Sequence, residues 1–232
     1  MKFVDLNSDV GEAAGHDAAL MPLITSANIS CGAHAGSPAE ARQTLTLAQK
    51  QGVVAGAHPG HPDPANFGRL ELPLDPDRVF ENCVYQIGAL AGLTAISQIP
   101  LKYIKPHGGL YHQANREEQY ADAVIAAACQ FNLMVMGLPG SRLEDRCRGR
   151  CEYVAEGFAD RRYRPDGTLV PRDQPDAFVE DPEEAVAQVE RLLNTTSIRT
   201  ICVHGDNVHA ISFVQALRTS LQAKGFTLRA FA

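Results

Sequence analysis

Phe3-Val4-Asp5-Leu6-Asn7 alternates apolar and polar residues and then breaks into Ser8-Asp9-Val10-Gly11-Glu12. Such alternation marks a strand, and the cluster behind it places two carboxylates around a glycine. The same grammar repeats down the chain. Leu23-Ile24-Thr25-Ser26-Ala27-Asn28 runs into Cys31-Gly32-Ala33-His34-Ala35-Gly36, and Val53-Val54-Ala55-Gly56-Ala57 into His58-Pro59-Gly60. Lys102-Tyr103-Ile104-Lys105 runs into Pro106-His107-Gly108-Gly109, and Thr200-Ile201-Cys202-Val203 into His204-Gly205-Asp206. Strand ends converging on one rim are how a parallel β/α barrel builds a polar site, so the pattern reads as an enzyme.

Helix signals fill the gaps. Ser37-Pro38-Ala39-Glu40 is a capping box with proline at the first helical position, and Gly52 closes that helix. Further helices are expected from Pro76 to Leu93, Glu117 to Phe131, Pro182 to Leu193 and Val208 to Lys224, with Gly225 as C-cap. Leu133–Gly137 and Tyr153–Glu156 read as the fifth and sixth strands, and Thr227–Phe231 as a short closing strand or a tail. The Pro/Gly/Asp-rich stretch from His58 to Asp75 is too long for a bare connector and reads as a functional loop. Strand and helix alternate with no break in composition, which predicts one domain over residues 1–232, a distorted seven-stranded β/α barrel of TIM-like type. The competing open doubly wound sheet lacks its usual marks: neither G-x-G-x-x-G after the first strand nor G-x-x-x-x-G-K-[ST] is present.

Composition narrows the function. The 232 residues are 45 % hydrophobic with a net charge of −6, and no Lys/Arg run exceeds two residues. That argues against a nucleic-acid face. The apolar stretches read as too short for a bilayer, and Asp5 interrupts any signal-peptide core, so a cytoplasmic, non-membrane location is expected. The six scattered cysteines read as free thiols.

Several rim residues could do chemistry, each against a blander alternative. Asp9 and Glu12 are a candidate acid/base or metal-ligating pair, or turn and cap residues; Asn7 could orient either. His34 and His58 sit in glycine-flanked turns at equivalent rim positions, and with Asp9 they offer a His/His/carboxylate set for a divalent metal. Lys105, beside His107, could hold a substrate carboxylate or phosphoryl oxygen, or pair with Asp9. Asp160-Arg161 and His204/Asp206 complete the ring. Arg69 could clamp an anion from the long loop. His16, His61, His112 and His209 read as surface or capping residues. A Cys31–His nucleophile is conceivable but ranks low, since cysteine is usually a small buried hydrophobe.

These motifs resemble the LamB/YcsF family, with Asp5–Glu12, Ile24–Gly36, Gly56–Gly60 and Lys105-Pro106-His107-Gly108-Gly109-Leu110-Tyr111 as the strongest matches. Tyr85–Leu90, Phe158-Ala159-Asp160-Arg161 and Val203–Asp206 extend the likeness across nearly the whole chain. The resemblance implies a distorted barrel similar to polysaccharide deacetylases and related glycoside hydrolases. It also implies ATP-dependent opening of 5-oxo-L-proline to L-glutamate together with 5-oxoprolinase subunits B and C. ATP would be bound by those partners, consistent with the missing nucleotide loop. On this reading Asp9, Glu12, His34, His58, Lys105 and His107 are catalytic, and Asn7, Asn28, Arg69, Asp160, Arg161, His204 and Asp206 bind substrate. Two alternatives are a metal-dependent deacetylase-like hydrolase and a non-catalytic lactam-binding subunit. Ser8 stands where the family usually has cysteine, so no essential thiol is expected there. Ala33, His61 and Leu70 replace a usual aromatic, tyrosine and arginine at positions bearing on the pocket wall.

Overall fold

A computed structural model describes residues 2–172, 174–204 and 210–232. Seven parallel strands close into a ring: β1 (Lys2–Val10), β2 (Ser26–Ser30), β3 (Val54–His58), β4 (Leu101–Ile104), β5 (Met134–Gly137), β6 (Tyr153–Phe158) and β7 (Thr200–Cys202), with β7 pairing back onto β1. An eighth, β8 (Phe226–Leu228), pairs with the first residues of β1. The Val4 carbonyl accepts from Arg229 and the Leu6 carbonyl from Thr25, so β8 fills the lower end of the β1–β2 seam. The expected closing strand is therefore real, but it lies outside the ring of seven.

Helices α1 (Asp17–Leu20), α2 (Pro38–Gln51), α3 (Pro76–Ser97), α4 (Gly108–Arg116), α5 (Glu118–Gln130), α6 (Arg142–Cys147), α7 (Pro182–Thr195) and α8 (Ala210–Ala223) accompany the strands. The α2 cap forms as read: the Ser37 hydroxyl accepts from the Glu40 amide, and Gly52 ends the helix in the left-handed region at φ 66°. β2 starts later than expected, because Met21–Leu23 is taken into a 3-10 turn built on Pro22. Position 208, where the last helix was expected to begin, lies outside the described residues. By length and composition alone α3 is long and apolar enough to cross a membrane; here it packs between α2 and α5.

The alternation of β1 inverts the usual inside-outside rule. Val4, Leu6 and Val10 face the helices within the main apolar core. Asp5, Asn7 and Asp9 face the lumen, where they bond to residues of β2 and β7 and to Lys105 at the end of β4. The outer layer carries the hydrophobic burial, and the lumen is left free to be polar. Tyr103, Met136 and Val154 form a small separate apolar plug inside it. Gly56 makes room for that plug, since a Cβ there would lie 2.3 Å from the Tyr103 ring.

Candidate active site

The lumen is layered. At the bottom Asp5 accepts hydrogen bonds from the hydroxyls of Thr25 (2.5 Å), Ser26 (2.7 Å) and Thr200. Burial nevertheless raises its carboxyl to about 6, with those hydroxyls opposing the shift. One layer up, the Asn7 amide donates to the Thr200 hydroxyl, Asn28 donates to Asn7 and to Asp9, and the Tyr103 hydroxyl donates to Asn28. Asn7 and Asn28 are thus fully buried under the site and are not among the residues lining the large cavity described below. Against the expectation that they bind substrate, their polar groups are engaged inside the lumen: Asn28 with Asn7, Asp9 and Tyr103, and Asn7 with Thr200, Asn28 and Lys105.

Above them lies Lys105. Its ammonium is 3.1 Å from Asp9, 3.2 Å from Glu156, 3.4 Å from Asn7 Oδ1 and 3.2 Å from Cys202 Sγ. An ammonium has three N–H groups, and all are engaged. Lys105 therefore neutralises a buried carboxylate pair, as the Asp9 pairing read from the sequence requires, and it also lines the cavity above. Burial opposes its charge, but Asp9 above all keeps its pKa well above the usual value. Glu156, 0 % exposed, escaped the sequence reading because it lies within β6 rather than beyond its end. A glutamate in an apolar strand, on the parity of Val154 and Phe158, was the available signal.

At the mouth, Glu12 Oε1 faces three imidazoles: His34 Nε2 at 3.2 Å, His107 Nδ1 at 3.3 Å and His58 Nε2 at 3.7 Å. His58 Nδ1 lies 2.7 Å from the Lys105 carbonyl and His107 Nε2 2.8 Å from the Phe67 carbonyl. Each of those nitrogens must carry the proton it donates to a carbonyl. In neutral rings His58 Nε2 and His107 Nδ1 would then present bare lone pairs to each other at 2.9 Å. A proton or a cation has to lie between them. Burial disfavours charge on His58, but Asp9, 3.4 Å from its Nε2, and Glu12 outweigh it and raise its pKa. Burial, followed by the two neighbouring imidazoles, pulls His107 far down, and burial lowers His34. For Asp9, burial acts upward, but His58 and Lys105 overcome it and hold the carboxyl well below its usual range. The environment thus pushes the histidines apart, His58 toward its charged form and His34 and His107 toward their neutral forms, as acid/base sites do.

Four donor atoms from Glu12, His34, His58 and His107 lie within 4.8 Å of one another, a set able to hold a divalent cation. The backbone carbonyls behind His58 and His107 supply the outer hydrogen bonds that orient metal-ligating imidazoles. The geometry groups His34 and His58 with Glu12 and His107; Asp9 groups instead with Cys202 and His204. His34 stacks on His107 (3.8 Å between centroids) and does not line the cavity, so it backs the site without reaching into it. The long loop presses on both rings. Gly68, at φ 63°, would place a Cβ 2.6 Å from His34, and Gln86 of α3 clamps Gly60 through both its N–H and C=O.

The mouth opens into a cavity of about 1500 Å³ lined by Asp9, Glu12, His58, Lys105, His107 and Glu156 below and by Arg69, Arg161, Arg172 and His204 on its walls. Arg69 is exposed on the rim, its guanidinium 5.0 Å over the Phe67 ring. Asp160 lies behind the wall and accepts from the backbone N–H and Nδ1 of His204 (2.8 and 2.9 Å), so it positions His204 and does not face the cavity. Asp206 and His209 fall outside the described residues. One other histidine departs from the surface reading: His61 is buried, 2.6 Å from Gln113 Oε1. His112 is exposed, as read, and lines the cavity. Burial pushes the Cys31 thiol up to about 12, which removes it as a nucleophile. Ser8, outside the lumen, donates to the Val203 carbonyl at 2.6 Å, a structural role that needs no thiol.

The profile of the LamB/YcsF family matches residues 4–232. Two proteins from Neisseria meningitidis serogroups A and B, each named as the A subunit of 5-oxoprolinase, are 43 % identical to this chain over 245 aligned residues, covering 99 % of it and 100 % of themselves. A lactam utilization protein from Thermus thermophilus superposes with a TM-score of 0.92 at 38 % identity, with both chains covered completely. A family 4 carbohydrate esterase from Streptomyces lividans superposes at 0.55 with 13 % identity, over 100 % of this chain and 93 % of that one, a likeness of fold alone.

Proposed function

Because the chain belongs to the LamB/YcsF family, we propose that it is the A subunit of a 5-oxoprolinase, opening 5-oxo-L-proline to L-glutamate with hydrolysis of ATP, together with B and C subunits. The observation that carries this reading is the buried Glu12–His58–His107 cluster at the base of a large cavity. It occurs in a chain 43 % identical, end to end, to proteins bearing that name.

An unstrained lactam resists water because amide resonance must be broken. Phosphorylation of the carbonyl oxygen by the partner subunits would make the ring carbon electrophilic. Glu12 then takes a proton from water as its oxygen adds to that carbon. The C–N bond breaks as His58 passes its proton to the ring nitrogen, leaving a γ-glutamyl phosphate that a second water hydrolyses to glutamate and phosphate. Asp9 keeps His58 charged, Lys105 fixes Asp9, His34 orients Glu12 through Nε2, and His107 orients His58 by accepting at Nδ1. The test is glutamate release from 5-oxo-L-proline and ATP, with this chain alone and with the B and C subunits added. Release that requires all three chains and ATP is expected; none from the full set overturns the reading.

The facing lone pairs of His58 and His107 favour a second reading, a metal-dependent hydrolase. Glu12, His34, His58 and His107 would hold the ion, and a cation there would polarise a carbonyl or acidify a water. Stoichiometric zinc, manganese or cobalt in the purified protein, with activity lost to chelator, would select it.

A further inference from the structure

Arg161 carries a charge that no ion pair among the described residues balances. It lies three residues beyond the end of β6, is 3 % exposed, and lines the same cavity as Glu12 and His58. Among the described residues its guanidinium makes one hydrogen bond, from Nη2 to the Val170 carbonyl at 2.6 Å, and its Nε is buried without a partner. No carboxylate pairs with it among the described residues. The adjacent Asp160 is spent on His204.

A second guanidinium lies beside it. Arg161 and Arg172 lie 5.4 and 5.7 Å from the centroid of the same ring, Phe178. Arg172 donates to His204 Nε2 at 2.6 Å, which leaves the proton of a neutral His204 on Nδ1, facing Asp160. Burial and then Arg172 pull the Arg161 guanidinium down to about 10. A buried cation without a counter-ion is strongly unfavourable, and a guanidinium is shaped to grip an oxyanion by two N–H groups. The wall is also close to the chemistry, because His204 lies within 4.8 Å of the Asp9 carboxylate.

We propose that Arg161, flanked by Arg172, is an oxyanion subsite on the wall of the cavity, which seats a negatively charged group of the substrate and so turns the ring toward Glu12 and His58. The assignment rests on the lactam-hydrolase reading for its substrate, and deepens it by naming what is recognised. The oxyanion has two sources, the carboxylate of the lactam acid or a phosphoryl group. The cavity is far larger than a five-membered lactam acid requires and admits either.

The test is calorimetric titration of the full chain with 5-oxo-L-proline, the uncharged lactam 2-pyrrolidinone and inorganic phosphate, on wild type, Arg161→Gln and Arg161→Lys. A hydrogen-bonded charge contact of this kind is worth about ten- to a hundredfold in affinity. Arg161→Gln is expected to weaken 5-oxo-L-proline by that factor and leave 2-pyrrolidinone unchanged, with Arg161→Lys between the two. Loss confined to phosphate identifies the phosphoryl source. Arg161-dependent phosphate binding with no binding of either lactam keeps the subsite and removes the lactam reading. Binding of all ligands unchanged by both variants, or none by the wild type, overturns the subsite. The ligand-free Arg161→Gln protein is expected to melt no lower than wild type, because an unpaired buried charge is gone. A lower melting temperature with unchanged affinities would mark Arg161 as structural and overturn the proposal. If Arg161→Gln does not fold, the Arg161→Lys titrations decide by the same criteria.

Discussion

The floor and the mouth of the lumen are made by the same strands with the same inward parity, yet they differ in how charge is treated. On the floor Asp5 is met by three hydroxyls, and Asn7, Asn28 and Tyr103 form a closed chain of donors and acceptors. At the mouth, carboxylates, imidazoles and guanidiniums face one another with atoms left over: His34 Nδ1, both oxygens of Glu156 and Arg161 Nε make no hydrogen bond. Buried polar atoms are normally satisfied. Their concentration on one side of a layer boundary separates the part of the lumen that holds the barrel together from the part we propose meets a substrate.

The largest expected effect falls on that boundary. Lys105→Met strands Asp9 and Glu156 as unpaired buried carboxylates, and breaking a buried pair in this way costs about 3–5 kcal/mol. Urea unfolding should show the loss, and Lys105→Met/Glu156→Gln should recover part of it. Full stability in the single variant would mean that Lys105 belongs with the unpaired groups of the mouth.

Asp5→Asn sharpens the contrast from below. Burial raises this acid's folded pKa from 3.8 to about 6, so the folded state binds the proton more tightly than the unfolded chain. Its contribution therefore favours folding below about pH 4, is lost as pH rises to about 6, and stays constant above. The difference is worth about 3 kcal/mol. Unfolding free energies at pH 4 and pH 7 should converge by about that amount in the variant relative to wild type. Parallel pH curves would show that the three hydroxyls fully compensate the burial of the carboxylate.

The smallest effect concerns the plug between the layers. Gly56→Ala drives a Cβ into the Tyr103 ring, and overpacking of this kind costs about 1–3 kcal/mol. A melting temperature equal to wild type would mean that the plug yields freely.

Much of this contrast was written in the sequence, unevenly. Strand ends followed by Asp9, Glu12, His34, His58 and His107 announced a shared rim, because a parallel barrel sends every strand's C-terminal end to one side. Partnership was not legible. Lys105 reads the same whether it waits for an anion or is saturated by Asp9 and Glu156, and Asn7 and Asn28 read as binders until depth places them underneath. The helix α4 was hidden by Gly108-Gly109, residues that normally oppose a helix. Those glycines are required because a Cβ at Gly109 would lie 2.1 Å from the Leu70 carbonyl oxygen. His61 looked superficial because its partner, Gln113, is 52 residues away.

The most direct test of the division is the rate of glutamate release from 5-oxo-L-proline and ATP by complexes carrying either Glu12→Gln or Asp5→Asn, assayed side by side with wild type. Loss of the general base should slow the Glu12→Gln complex by about 10²–10⁴-fold, while the Asp5→Asn complex keeps a rate near wild type. Equal rates in the two variant complexes, or a Glu12→Gln complex as fast as wild type, would contradict it.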